Sequence, residues 1–137
     1  MKKQTIQQLL TDIYYSAPRA ENAVVVSHYT DLTTNEIHVL RALVVGERKD
    51  AETVAKILRS NSYSVKGTLD GLGKKGYLTE ELELTEKGTL AIETYKELIR
   101  KGIGEMIERM TDEEVDVIIR GLGFFSEYIE HLASEVE

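Results

Sequence analysis

The residues of this chain that could do chemistry lie in its middle, and the chemistry is the binding of an anion. Between residues 41 and 76 stand Arg41, Arg48, Lys49, Lys56, Arg59, Lys66, Lys74 and Lys75 against Glu47, Asp50, Glu52 and Asp70, eight basic residues to four acidic, a net of +4. Residues 1–40 hold three basic and four acidic residues, and residues 77–137 hold six and sixteen, so this island is positive within a chain of net charge −7. Lysine and arginine side chains release counterions from a phosphate backbone, and a basic island on one motif is the electrostatic footprint of nucleic-acid binding. Thr53, Lys56, Arg59 and Lys74 are expected as clamps on that backbone. Asn61 is placed to cap a helix, and the backbone N–H groups of the first turn, Ser62, Tyr63 and Ser64, suit a phosphate.

Other chemistries find little support. Cysteine is absent, which excludes disulfides and thiol catalysis and fits a cytoplasmic protein. No hydrolase elbow, P-loop or dinucleotide fingerprint occurs, so neither catalysis nor a cofactor is expected. Glu127 and His131 are four apart on one helix face, a spacing that could hold a metal but more commonly makes a surface pair. His38 stands among apolar neighbours, either as a satisfied histidine or as the polar anchor of a ligand pocket. No apolar run approaches membrane-span length, and none follows the N-terminal lysines as in a signal peptide.

The elements that must position the basic island follow from periodicity. Residues 3–17 form a helix with Ile6, Leu9, Leu10, Ile13 and Tyr14 on one face. Pro18 is expected to kink or stop it, and with the segment over 19–29 it makes either one long or two short helical pieces. Thr33 and Glu36 make a capping box for the next helix, which places Ile37, Leu40, Ala42, Leu43 and Val44 in the core and ends at Gly46. Asp50 caps a short helix with Val54, Ala55 and Leu58 inward. After the turn Arg59–Ser62, a second helix runs to about Lys75 with Val65, Leu69 and Leu72 buried. Gly76 ends it. Tyr77–Thr79 and Leu82–Leu84 alternate like two short strands around a Glu80–Glu81 turn. A long helix then opens at Thr85 with the stripe Ile92, Tyr95, Leu98, Ile99, Ile103, Met106 and Met110. Thr111 to Glu114 is a second capping box. It starts a last helix whose stripe is Val115, Ile118, Leu122, Phe125, Ile129, Leu132 and Val136.

Helix, turn, helix and hairpin is the order of a winged helix-turn-helix. The segments VKGTLDGLGKKGYL (65–78), LTEKG (84–88) and LTTNEIHVLRAL (32–43) resemble the MarR-type transcriptional regulators, and the flanking helices extend the resemblance over nearly the whole chain. Within that family, residues 110–132 look most like the branch that represses fatty-acid synthesis operons. The expected fold is therefore mostly α with a small β-hairpin. Residues 1–30 form an N-terminal dimerisation helix, 31–88 a DNA-binding lobe, and 89–137 the C-terminal dimerisation helices. The resemblance implies that Ser62, Tyr63, Ser64 and Lys66 touch base edges or phosphates of a pseudo-palindromic operator. It implies a homodimer, against the alternative of an intramolecular helical hairpin that covers the same stripes. It also implies a small aromatic or acyl effector, for which Tyr14, Tyr15, His38 and Met106 are the candidate contacts.

Two departures from the family pattern stand out. Gly67 replaces a typical arginine, and Gly71 and Gly73 replace larger residues. The bare face either lets the helix press close to DNA or another helix, or reflects lost reading side chains. The wing is cut to a turn carrying Glu80, Glu81 and Glu83, with no Arg or Lys between Lys75 and Lys87, so a wing arginine cannot reach a minor groove. These residues raise a second reading, a winged-helix dimer that no longer reads DNA and serves as a protein-interaction or ligand-binding module.

Overall fold

Four side-chain caps fix where helices begin. Thr33 Oγ1 accepts from the Glu36 N–H at 3.1 Å, and Glu36 Oε1 accepts from the Thr33 N–H at 2.9 Å, the complete capping box. Asp50 accepts from the Thr53 N–H at 2.8 Å, and Asn61 from the Ser64 N–H at 2.7 Å. Thr111 and Glu114 repeat the capping box at 3.1 and 3.0 Å. The resulting elements, in a computed structural model that describes residues 1–136, are α1 (Lys2–His28), α2 (Thr34–Val45), α3 (Ala51–Leu58), α4 (Ser62–Lys74), α5 (Glu86–Glu108) and α6 (Asp112–Val136). The side chain of Val136, placed in the last stripe by its spacing, lies outside the described residues.

The chain forms two compact units, Met1–Leu98 and Ile99–Glu137. In the first, α2, α3 and α4 pack into a three-helix core. Ile37, Val39, Leu40 and Leu43 from α2, Val54 from α3 and Leu72 from α4 are fully buried, together with Val25 from α1. Tyr77, Leu78, Ala91, Ile92 and Tyr95 complete the core. Val44, expected inside, is exposed, and Val39 takes the inward position. In the second unit, no α6 residue with a described side chain is buried, so its apolar stripe stays uncovered by its own chain.

One alternative is decided and one expectation needs correction. Of one long or two short helical pieces, the chain takes the long one: α1 runs through Pro18 as one helix of 27 residues. The proline removes one donor, the bond that would end on the Tyr14 carbonyl, and α1 is exposed at this level so water can serve that acceptor. The β-hairpin is not formed. Among the described residues the two segments share a single antiparallel bridge, Leu78 with Leu84. Leu82 donates its N–H to Thr79 at 3.0 Å, Thr79 donates to Glu83 at 2.9 Å, and Leu82 sits at φ 61°. These bonds close a three-residue loop, Glu80 to Leu82, whose last residue is left-handed, and beyond it the segments add the Thr85 N–H bond to the Tyr77 carbonyl at 3.1 Å.

Candidate nucleic-acid interface

The basic island folds as α3, a short turn and α4. Arg59 closes α3 in the left-handed conformation, φ 55°, with its N–H on the Lys56 carbonyl at 3.4 Å and the Ser60 N–H on the Ala55 carbonyl at 2.9 Å. Asn61 then starts α4, so its side-chain oxygen is already committed to the cap. Val65, Leu69 and Leu72 bury one side of α4. Residues 63, 67, 70 and 74, spaced four, three and four, form the line opposite. That line reads Tyr63, Gly67, Asp70, Lys74, with Ser62 and Lys66 on its flank, and every one of these residues is exposed. Tyr63 is 89% exposed. Lys56, Lys66 and Lys74 make no ion pair among the described residues. Thr53 is half-buried, its N–H held by Asp50.

Asp70, which the sequence enters only as a charge against the island, stands exposed on this outer line. The signal for that place was present in the spacing of 63, 67, 70 and 74. Gly67 and Gly71 have nothing within 4 Å of where a Cβ would stand, so no neighbour in the chain requires them to be bare.

Several cations of the island are spent inside the fold. Arg48 pairs with Asp50 at 3.1 Å, Lys49 lies 3.8 Å from Glu83, and Arg41 stands 5.5 Å over the Tyr95 ring. Lys75 donates to the Asp31 carbonyl at 2.8 Å and to both Glu36 oxygens at 3.0 and 2.8 Å. It is one strand of a clasp. Tyr77 donates its hydroxyl to Asp31, and Lys87 donates to Asp31 at 3.2 Å and to the Lys75 carbonyl at 2.8 Å. Thr85 donates to the Gly76 carbonyl at 2.6 Å and accepts from the Gly88 N–H at 3.1 Å. The Tyr77 hydroxyl, then Lys87, hold the Asp31 carboxyl below its ordinary range. Burial, then Asp31, pushes the Tyr77 phenol up.

The effector candidates separate. Tyr14 and Tyr15 pack edge-on at 5.5 Å between centroids and are exposed on α1, at 75% and 67%. Met106 belongs to the second unit and is likewise exposed. His38 pairs through Nε2 with Glu21 of α1 and lines two cavities. One, of about 290 Å³, has Ala42, Val45, Ile57 and Ile92 with Arg41 and Lys96. The other, of about 400 Å³, lies between α2 and α4 with Asn35, Arg59, Ser60, Ser64 and Thr68. Neither tyrosine lines either cavity. His131 pairs with Glu135 at 3.0 Å rather than with Glu127, and no three potential metal ligands cluster among the described residues.

No family model and no curated protein matches this chain. Solved structures do. FabT of Streptococcus pneumoniae in complex with DNA is similar at a TM-score of 0.79 and 25% identity, over 95% of this chain and 99% of that one. A MarR family protein from Bacillus stearothermophilus is similar at 0.76 and 19%, over 95% and 99%. MepR, a transcription regulator of the Staphylococcus aureus multidrug efflux pump MepA, is similar at 0.74 and 16%, over 90% and 97%.

Proposed function

We propose that this chain, a MarR-type winged-helix protein, is a homodimeric DNA-binding transcription regulator, a repressor whose operator affinity responds to a small ligand. The observation that carries the reading is the outer side of α4. Tyr63, Lys66 and Lys74 stand exposed on a helix whose other side is locked into the core, the arrangement of a helix that enters a major groove. The likeness to FabT bound to DNA, over nearly the full length of both chains, supports it.

In this reading residues 31–88 are the DNA-binding lobe, flanked by dimerisation helices at 1–30 and 89–137. Leu122, Phe125, Ile129 and Leu132 on α6, and Ile6, Leu9 and Ile13 on α1, are large apolar side chains left exposed, and a second copy of the chain would cover them. Two copies of α4 would then meet half-sites about one helical turn apart. Thr53, Lys56, Arg59 and Lys74 hold the backbone, and Ser62, Tyr63, Ser64 and Lys66 face the groove. A small aromatic or acyl effector would act by favouring one spacing of the two α4 helices. Its contacts are His38, one of whose cavities lies between α2 and α4, with Tyr14, Tyr15 and Met106 as further candidates.

The glycines of α4 and the acidic turn at Glu80–Glu81 favour the second reading, a winged-helix dimer that binds a protein or ligand and not DNA. Selection from random duplex DNA with the purified protein decides between them. The expected result is an enriched inverted repeat whose affinity falls steeply with salt. Enrichment of no sequence, with weak generic binding, would sink the regulator reading. Light scattering of the same sample should give twice the mass of the 15.5 kDa chain.

A further inference from the structure

We propose that Asp70 is a specificity-determining residue that selects cytosine at one position of each half-site by accepting a hydrogen bond from its exposed amino group. The inference rests on the DNA-binding reading above and adds a base identity to it.

Three observations carry it. Asp70 lies on the outermost line of α4, directly opposite the buried Val65, Leu69 and Leu72, and is solvent-exposed. It has lysines four residues away on either side, Lys66 and Lys74, the spacing at which helical ion pairs form, yet it makes no ion pair or side-chain hydrogen bond among the described residues. The preceding position on the line is Gly67, so no side chain shields the carboxylate from a surface lying along this face. The glycine also removes the bulk that would hold α4 away, which matters because an aspartate side chain is short.

The chemistry then restricts what Asp70 can meet. An ionised carboxylate only accepts hydrogen bonds. Guanine and the thymine carbonyl present acceptors at this edge and would be repelled. Cytosine presents its N4 amino group as a lone donor, while adenine sets its donor beside the N7 acceptor. Phosphates also repel the carboxylate, so placing it mid-face is costly on non-specific DNA and tolerable where an amino group faces it. Lys66 and Lys74 offset part of that repulsion.

The test is the random-duplex selection repeated with Asp70→Asn, Asp70→Ala and the wild-type protein. The wild-type motif should contain one cytosine-selective position per half-site. Asp70→Ala should lose roughly tenfold discrimination there and leave the other positions alone. Asp70→Asn should move that position to adenine, whose N6 and N7 an amide can bridge. Base preferences that stay identical in all three proteins would overturn the proposal. So would an even rise in affinity for every sequence with a steeper salt dependence, which would make Asp70 only a repeller of phosphate. If the wild-type protein itself enriches nothing, the regulator reading falls and takes this one with it, an outcome distinct from a motif that ignores position 70.

Discussion

Two regions a few residues apart in this chain treat the same kinds of side chain in opposite ways. In the clasp, Lys75, Tyr77 and Lys87 converge on Asp31 and Glu36, and Gly88 is bare because a Cβ there would lie 2.3 Å from the Tyr77 carbonyl oxygen. On the outer side of α4, Lys66, Asp70 and Lys74 make no ion pair among the described residues, and a Cβ at Gly67 would meet nothing within 4 Å. The residues that carry the family resemblance, KKGYL and LTEKG, are the ones that close the fold. Gly67, which departs from it, has no neighbour that requires it to be bare, and the acidic turn is held by its own hydrogen bonds and by Lys49. A sequence resemblance built on the clasp therefore speaks for the architecture and says little about which DNA, or whether any DNA, is read.

The sharpest way to break the comparison is Gly88→Ala. The clash is with backbone, which cannot swing aside, so the start of α5 must shift away from Tyr77. A loss of roughly 1–3 kcal/mol or more is expected in a denaturant titration. An unchanged midpoint would mean the clasp is looser than its distances imply. Next in size is Tyr77→Phe, which leaves the buried ring in place and removes only its bond to Asp31. A charge-assisted bond of this kind contributes about 1.5–3 kcal/mol, reduced here because Asp31 is open to water. Both variants should bind DNA normally once folded, because neither residue lies on the reading line.

Acid should probe the same bonds. The carboxyl of Asp31 is held below its ordinary value of 3.8, so its contribution to stability is complete above that pH and is lost as pH falls through the lower folded value. Asp31→Asn should therefore be less stable than wild type at neutral pH, and the gap should narrow below about pH 4. A gap that stays constant on acidification would show that Asp31 acts through shape and not through charge.

How much of this was legible beforehand follows the same division. The caps Thr33, Asp50, Asn61 and Thr111 could be read because capping is local, a matter of residue type three positions from a backbone donor. The inward faces of α3 and α4 could be read from periodicity. The hairpin could not, because two alternating triplets look like strands whether or not the turn between them leaves room for a ladder, and Leu82 in a left-handed conformation gives no sequence warning. Pro18 left one long and two short helices equally open, because its cost depends on whether the orphaned carbonyl faces water. The clasp escaped notice because Asp31 and Lys87 are 56 residues apart in sequence. Asp70 escaped notice for the reverse reason, since what sets it apart is that it has no ion-pair partner among the described residues.

A gain of stability is the next, smaller effect. Gly67→Ala fills no space that is taken and should stabilise α4 by up to about 1 kcal/mol, the opposite sign to Gly88→Ala. If the bare face is needed for close approach, the same variant should bind its selected site more weakly while melting higher. Rising stability with unchanged binding would mean that Gly67 is idle.

The smallest effect on stability, and the most informative about charge, belongs to Lys66→Ala and Lys74→Ala. Both lysines are exposed on α4 and unpaired among the described residues, so each change should move folding stability by no more than about 0.5 kcal/mol. On DNA their roles should separate. Loss of Lys74, proposed as a backbone clamp, should weaken binding to all sequences alike and lower the slope of log affinity against log salt by about 0.9. Loss of Lys66, on the flank towards the base edges, should in addition flatten one position of the selected motif. By contrast Lys75→Ala, one residue further on, should leave the salt slope alone and lower stability, because its charge is already used by Glu36. If Lys74 and Lys75 behaved the same way in both measurements, the boundary drawn between the clasp and the reading face would be wrong.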